Sequence, residues 1–352
     1  MTDDTVGAVK GFIRTLCVAA VITCVAVSVP RDASASLDVT PKTPTALATS
    51  PSGALYVVDT GRDQILRRLG NGRFQVVAGN GHRGFSGDGG AATHAEISVE
   101  NQSGLAVSSN GTLYFIDNGN GRIREILPNG LIETVAGGGG ATLATSPVKA
   151  RRVDFVHDQL NGLALGPGGE LYLAADGVFR LDNGTLHWVI GSVAPRLNKG
   201  FRGYGMNPVV QKDFDPAYAL SFDGRGDLLV GGGNTWDLYE RVTSGALRLV
   251  EGDRAEGGYY ATLAEAPDGD VVVAGGMHGL AWFHPSGSIT PIAVSGLSTI
   301  LPPPSHFAYG EAAAVGPNGA VYLDTVASNG YSDVGAIVEI TPSGRATLLW
   351  KS

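Results

Sequence analysis

From position 46 to position 350, apolar and polar residues alternate with a period of two, in short runs broken by turns that end in glycine. That period predicts half-buried β-strands rather than helices. One unit recurs six times: a glycine turn, one residue, then an alternating apolar strand. It reads Pro51-Ser-Gly-Ala-Leu-Tyr-Val-Val-Asp59, Ser109-Asn-Gly-Thr-Leu-Tyr-Phe-Ile-Asp117 and Pro167-Gly-Gly-Glu-Leu-Tyr-Leu-Ala174. It continues as Asp223-Gly-Arg-Gly-Asp-Leu-Leu-Val230, Pro267-Asp-Gly-Asp-Val-Val-Val-Ala274 and Pro317-Asn-Gly-Ala-Val-Tyr-Leu-Asp324. The anchors Leu55, Leu113, Leu171, Leu228, Val271 and Val321 are spaced 58, 58, 57, 43 and 50 residues apart. Glycine stands two residues before each anchor, which suits a hairpin turn with positive φ.

Each anchor has the same surroundings. A strand of small residues precedes it, as in Ala46-Leu-Ala-Thr49, Gly104-Leu-Ala-Val107 and Gly162-Leu-Ala-Leu165. Two more strands follow, separated by turns such as Pro128-Asn-Gly130, Asp182-Asn-Gly184 and Pro342-Ser-Gly344. Four short antiparallel strands repeated six times predict an all-β chain, a six-bladed β-propeller. The small residues belong on the innermost strands, where the blades converge. Every blade is complete in chain order, so the ring closes by packing blade six on blade one, with residues 37–39 as an added strand.

Composition agrees with a packed, turn-rich chain. It is 43% hydrophobic and 16% charged, with 52 glycines but no collagen-like period, which excludes disordered and collagenous classes. The net charge of −8 argues against a nucleic-acid partner, since such domains carry a basic face.

The N-terminus changes the expected address. Lys10 and Arg14 precede an uncharged apolar run over 15–29, followed by Ala33-Ser-Ala35. This predicts a secretory signal peptide over 1–35 and a propeller over 36–352. The run is shorter than the ~20 residues of a membrane helix, so no integral span is expected after cleavage, and the protein is placed outside the cell or in its envelope; an uncleaved signal anchor is the alternative. Both cysteines, Cys17 and Cys24, fall in the leader. Cleavage leaves no disulfide framework, thiol nucleophile or cysteine metal site.

In a four-stranded up-and-down blade, the loops between strands two and three share one face with the between-blade segments. The glycine hairpins share the other face. The long segments 79–102, 137–159 and 191–217, with a shorter one over 296–309, are therefore expected to build a lopsided rim above the channel. Candidate ligand-binding residues there are Asp158 and Asn161 entering blade three, Asp213, Asp215 and Tyr218 entering blade four, and Tyr309 and Glu311 entering blade six. His157, His278 and His306 come from three blades and form an alternative metal set. Asp59, Asp117 and Asp324 end equivalent strands; an Asx turn there is favoured over a cation site. The Gly79-Asn-Gly-His-Arg-Gly-Phe-Ser-Gly-Asp-Gly-Gly90 stretch lacks the Lys-Ser/Thr pair and helix of a phosphate loop, so it reads as a structured glycine-rich loop. No Gly-x-Ser-x-Gly lies between a strand and a helix. Arg67-Arg68 and Arg151-Arg152 read as solvated pairs.

Val77-Ala-Gly-Asn-Gly-His-Arg-Gly-Phe-Ser-Gly-Asp-Gly-Gly-Ala-Ala-Thr93, Gly104-Leu-Ala-Val107 and Leu113-Tyr-Phe-Ile-Asp-Asn-Gly-Asn-Gly-Arg-Ile-Arg124 closely resemble NHL-repeat propellers. The match recurs at Glu133-Thr-Val-Ala-Gly-Gly-Gly140 and is degenerate from blade three onward. The resemblance implies a six-bladed binding or interaction platform. Relatives in fold include amidating lyases that hold zinc through histidines at the start of innermost strands. The equivalent positions here are Thr45, Ser103, Asn161, Tyr218, Ala261 and Glu311, none of them histidine. Lactonases of the gluconolactonase type bind a divalent cation through Glu, Asn and Asp near the axis, for which Asn161 and Glu311 stand in plausible places. The expected role is a binding module for an extracellular protein, peptide or glycan, without a cofactor. The alternative is a propeller enzyme, lyase or lactonase, using zinc or calcium.

Overall fold

The computed structural model describes residues 38–100, 104–156, 160–175, 177–191, 217–232, 237–241, 247–252, 260–275, 279–296, 308–328 and 333–352. The expected leader, 1–35, lies outside them. A two-residue strand, β1 (Asp38–Val39), precedes blade one, which is β2 (Pro44–Thr49), β3 (Leu55–Asp59), β4 (Gln64–Arg68) and β5 (Phe74–Ala78). Blade two is β6 (Leu105–Val107), β7 (Leu113–Asp117), β8 (Arg122–Ile126) and β9 (Ile132–Gly137). Another short strand, β10 (Val148–Lys149), leads to blade three: β11 (Gly162–Leu165), β12 (Leu171–Ala174), β13 (Gly177–Asp182) and β14 (Thr185–Gly191). Blade four is β15 (Ala217–Phe222), β16 (Leu228–Gly232), β17 (Asp237–Arg241) and β18 (Leu247–Gly252). Blade five is β19 (Tyr260–Glu265), β20 (Val271–Gly275), β21 (Gly279–Phe283) and β22 (Ile289–Pro291). Blade six is β23 (Ala308–Val315), β24 (Val321–Ser328), β25 (Asp333–Ile340) and β26 (Ala346–Lys351). All six four-stranded blades are antiparallel meanders in chain order, and β1 and β10 add an outer fifth strand to blades one and three. The six-bladed propeller expected from the repeats is the fold.

The core lies between blades. Val57 and Val58 are both fully buried, and because successive strand residues face opposite ways, they enter different clusters. Val57 joins Leu47, Leu66, Ile337 and Trp350 between blades one and six. Val58 joins Ile65, Ile97 and Phe115 between blades one and two. Between blades two and three the same role falls to Ile116, Ile123, Leu163, Leu173 and Phe179.

The innermost strands pack in the ring order β2, β6, β11, β15, β19, β23 and back to β2. Small residues there are a steric requirement. A Cβ on Gly162 would stand 2.6 Å from the Tyr218 carbonyl oxygen of the next blade. A Cβ on Gly104 would stand 2.9 Å from the backbone nitrogen of Leu163. At the closing seam, Thr49 Oγ1 donates to the Val315 carbonyl at 2.6 Å.

Two features differ from expectation. The added strand β1 does not bridge the seam: it pairs with β5, on the outer edge of blade one. Nor do the described parts of the long between-blade segments simply pile up as a rim. Before blade two, Gly89 donates to Ile132 O, and Ile132 to Gly90 O, along outer strand β9. Before blade three, β10 pairs with outer strand β14. Before blade six, Ser295 bridges to Arg345 beside β26. The physical reason is the open edge of each outer strand, whose unpaired N–H and C=O groups invite a covering segment.

Candidate functional site

The mouth of the channel, on the face carrying the between-blade segments, is set by irregular pairing. In β2 against β3, Pro44 pairs with Asp59 and Ala46 with Val58, so Thr45 is skipped. In blade four Tyr218 is skipped in the same way, in blade five Ala261, and in blade six both Tyr309 and Glu311. A β-bulge re-aims the residue it leaves unpaired and bends its strand, and bulges gather beside binding sites. Four blades thus carry the irregularity at the same level, at positions equated from sequence alone. In blade three Asn161 stands at that level, its N–H bonded to Ala174 O just before β11 begins.

Two of these side chains have oxygens without partners. Asn161 is buried, and its Nδ2 donates to Ala217 O at 2.9 Å, tying blade three to blade four. Its Oδ1 has no hydrogen-bond partner, and neither has Oγ1 of buried Thr45. Tyr218 is half-buried. Tyr309 and Glu311 lie within strand β23 rather than in a loop leading to it. Asp158, Asp213, Asp215, Ser103 and the alternative histidine set, His157, His278 and His306, fall outside the described residues.

Two of the three equivalent aspartates, Asp59 and Asp117, do not close an Asx turn. Asp59 reaches back to the segment leading into its own blade: Oδ2 accepts the Lys42 N–H at 2.9 Å and Oδ1 that of Thr43 at 2.8 Å. Asp117 does the same to Ser98, whose N–H donates to Oδ1 at 2.7 Å. An Asx turn would use the N–H two residues ahead; these carboxylates instead satisfy orphan donors 16 to 19 residues behind. Asp324, at the same level, is buried.

The glycine-rich loop is structured, as expected, and its anchor is a buried cation. Arg124 on β8 is fully buried. Its Nη2 donates to Ser86 O at 2.8 Å and Asp88 Oδ1 at 2.9 Å, and its Nη1 to Glu96 O at 3.2 Å. Phe85 lies over the guanidinium of Arg122, 3.8 Å from ring centroid to Cζ. Asp88 also accepts from Thr134 Oγ1 and pairs with Arg151, so Arg151 is engaged rather than merely solvated.

The hairpin face carries two further features. Asp223, Asp227 and Glu240 are buried, with carboxylate oxygens within 4.8 Å of one another. Their shared centre holds Arg225, whose Nη2 stands 3.0 Å from Asp223 and 3.3 Å from Asp227 and also pairs with Glu240. A guanidinium already supplies the positive charge there, so these residues do not fit a metal. Between blades two and three, a groove of about 300 Å³ is lined by Tyr114, Glu125, Glu170 and Asp182. Burial, with Glu125 beside it, raises the Tyr114 phenol, and burial likewise raises Glu125.

Blade architecture and sheet topology together define the class, a six-bladed β-propeller. The family model of the teneurin NHL domain matches residues 68–165, the stretch that holds the glycine-rich loop and Arg124. Among solved structures, a streptogramin B lyase is similar with a TM-score of 0.52 and 15% identity, over 90% of this chain and 85% of that one. Virginiamycin B lyase from Staphylococcus aureus gives 0.51 and 14%, over 89% and 86%. A Bacteroides thetaiotaomicron protein of unknown function gives 0.51 and 12%, over 81% and 67%. At these identities the likeness is one of fold. No curated protein matches the chain in sequence.

Proposed function

We propose that this protein is an exported binding module whose ligand, an extracellular protein, peptide or glycan, docks at the channel mouth. The observation that carries the reading is the repeated bulge at Thr45, Tyr218, Ala261 and the Tyr309–Glu311 pair. Bulges on the innermost strands give a site differently aimed side chains on a rigid frame. The test is capture of glycan-array and peptide-library probes by the protein beginning at Ser36. Tyr218→Ala, Tyr309→Ala and Asp215→Ala should weaken capture while leaving the melting temperature in place. Capture indifferent to all three overturns the site.

A second reading, a metal-dependent lyase or lactonase, is favoured by one observation. Asn161 Oδ1 and Thr45 Oγ1 are oxygen donors without partners at the mouth, a hard-cation set rather than a zinc set. Asn161 and Glu311 would hold such an ion, which would supply Lewis-acid polarisation of a substrate oxygen. Elemental analysis of chelator-free protein separates the readings. About one calcium or zinc per chain, lost in Asn161→Ala, favours the enzyme; a metal-free folded protein favours the binding module.

A further inference from the structure

Asp117 differs from its counterpart in blade one in where its two hydrogen bonds fall. Asp59 has a backbone N–H on each carboxylate oxygen. Asp117 places Ser98 N–H and Asn120 Nδ2 on the same oxygen, Oδ1. Its Oδ2 is buried with no hydrogen-bond partner, and among the described residues it is the one buried carboxylate oxygen so placed. The nearest cation, Nη1 of Arg124, stands 3.7 Å away, beyond hydrogen-bond reach, because its donors are aimed at Glu96 O and the 86–88 stretch.

Asp117 also sits where the segment before blade two is clamped. Ser98 donates to Asp117, and Gly119 N–H donates back to Ser98 O at 3.0 Å. Asn120 Nδ2, bonded to Asp117, also donates to Gly84 O at 2.7 Å. Both ends of segment 84–98 therefore hang on one carboxyl group.

We propose that Asp117 is a proton-operated latch: protonated at Oδ2 it holds segment 84–98 closed on blade two, and loss of that proton weakens the hold. Burial is the main cause, pushing the Asp117 carboxyl up to about 6 against the lowering pull of Asn120, the Ser98 N–H, Arg124 and Arg122. The other charged groups facing this corner are Asp88 and Glu96 on the segment, Arg83 and Glu100 flanking it, Asp63 at blade one, and Arg151 on Asp88. The sign follows from linkage. In an opened segment the carboxyl is solvated and returns toward its ordinary 3.8. The closed state binds the proton more tightly, so acid favours closure, and the extra stability is lost as pH rises through about 6.

The experiment is hydrogen exchange on the whole protein from pH 5 to pH 7.5, corrected for intrinsic rates. Protection at Ser98 and across 84–98 should fall about tenfold over that range, and Asp117→Asn should flatten the profile. Asp59→Asn should leave the profile's midpoint unchanged. Should Asp117→Asn fail to fold, the 13C carboxyl titration of Asp117 in the unaltered protein gives the same reading, with a midpoint near 6. A midpoint at or below the ordinary carboxylate range, as expected if Arg124 closes onto Oδ2, overturns the latch. So does protection that is flat with pH.

Discussion

Nη2 of Arg124 lies 2.9 Å from Oδ1 of Asp88, joining residues 36 apart in the chain, and the arginine side chain is entirely removed from solvent. The pair converts a glycine-rich stretch that is free to adopt many conformations into one shape. A charge in that position is held by its partners rather than by water. Removing the guanidinium takes one of three partners from Asp88, takes the nearest cation from buried Asp117 and deprives the Ser86 carbonyl of its arginine donor.

Arg124→Ala is therefore expected to cost about 3–5 kcal/mol. Arg124→Leu, which places in blade two the residue blade one carries at Leu66, should cost less because it refills the volume. Urea unfolding followed by circular dichroism measures both. Equal stability of Arg124→Ala and the unaltered protein would refute the anchoring role.

Blade spacing at the axis is set by absent side chains. Gly162→Ala places a methyl 2.6 Å from Tyr218 O, so the fourth blade must retreat, at a cost of about 1–3 kcal/mol. Gly140→Ala, with nothing within 4 Å of the added carbon, should melt within a degree or two of the unaltered protein. Differential scanning calorimetry on the pair separates crowding from a general dislike of alanine.

The seam between blades one and six should be tunable by one atom. Thr49→Val keeps the shape and removes the 2.6 Å bond to Val315 O, costing about 1 kcal/mol. The loss should appear mainly as faster unfolding, read from the unfolding arm of a chevron plot.

The repeat frame, the inner strands and the hairpin glycines were legible because each leaves a periodic mark. Leu55 and its five equivalents stand two residues after a glycine of positive φ in every blade. The edge-covering strands left no such mark: Asp38–Val39 and Val148–Lys149 are two residues long, too short for any alternation to show. The three aspartates stand at equivalent strand ends, but the bonding of Asp59 and Asp117 depends on where the chain runs 16 to 19 residues earlier, which spacing alone does not reveal. Arg124 was missed as a buried residue, although the 58-residue repeat sets it on Leu66, which is fully buried. That alignment was the available signal. At the mouth, sequence equated Thr45, Tyr218, Ala261 and Glu311; their shared bulge is a property of pairing, visible only once the strands are in register.

Each sheet in the ring completes itself from consecutive residues, and neighbouring sheets meet through side chains such as Val57 and Val58 rather than through a shared strand. A blade is thus a cassette. It can be gained, lost or exchanged as a whole stretch of chain without tearing a hydrogen-bonded ladder, and the two ends of the ring can be joined and reopened between other blades. Anchors spaced 58, 58, 57, 43 and 50 residues apart are what such a cassette tolerates, since length can change between sheets while every sheet keeps its own register.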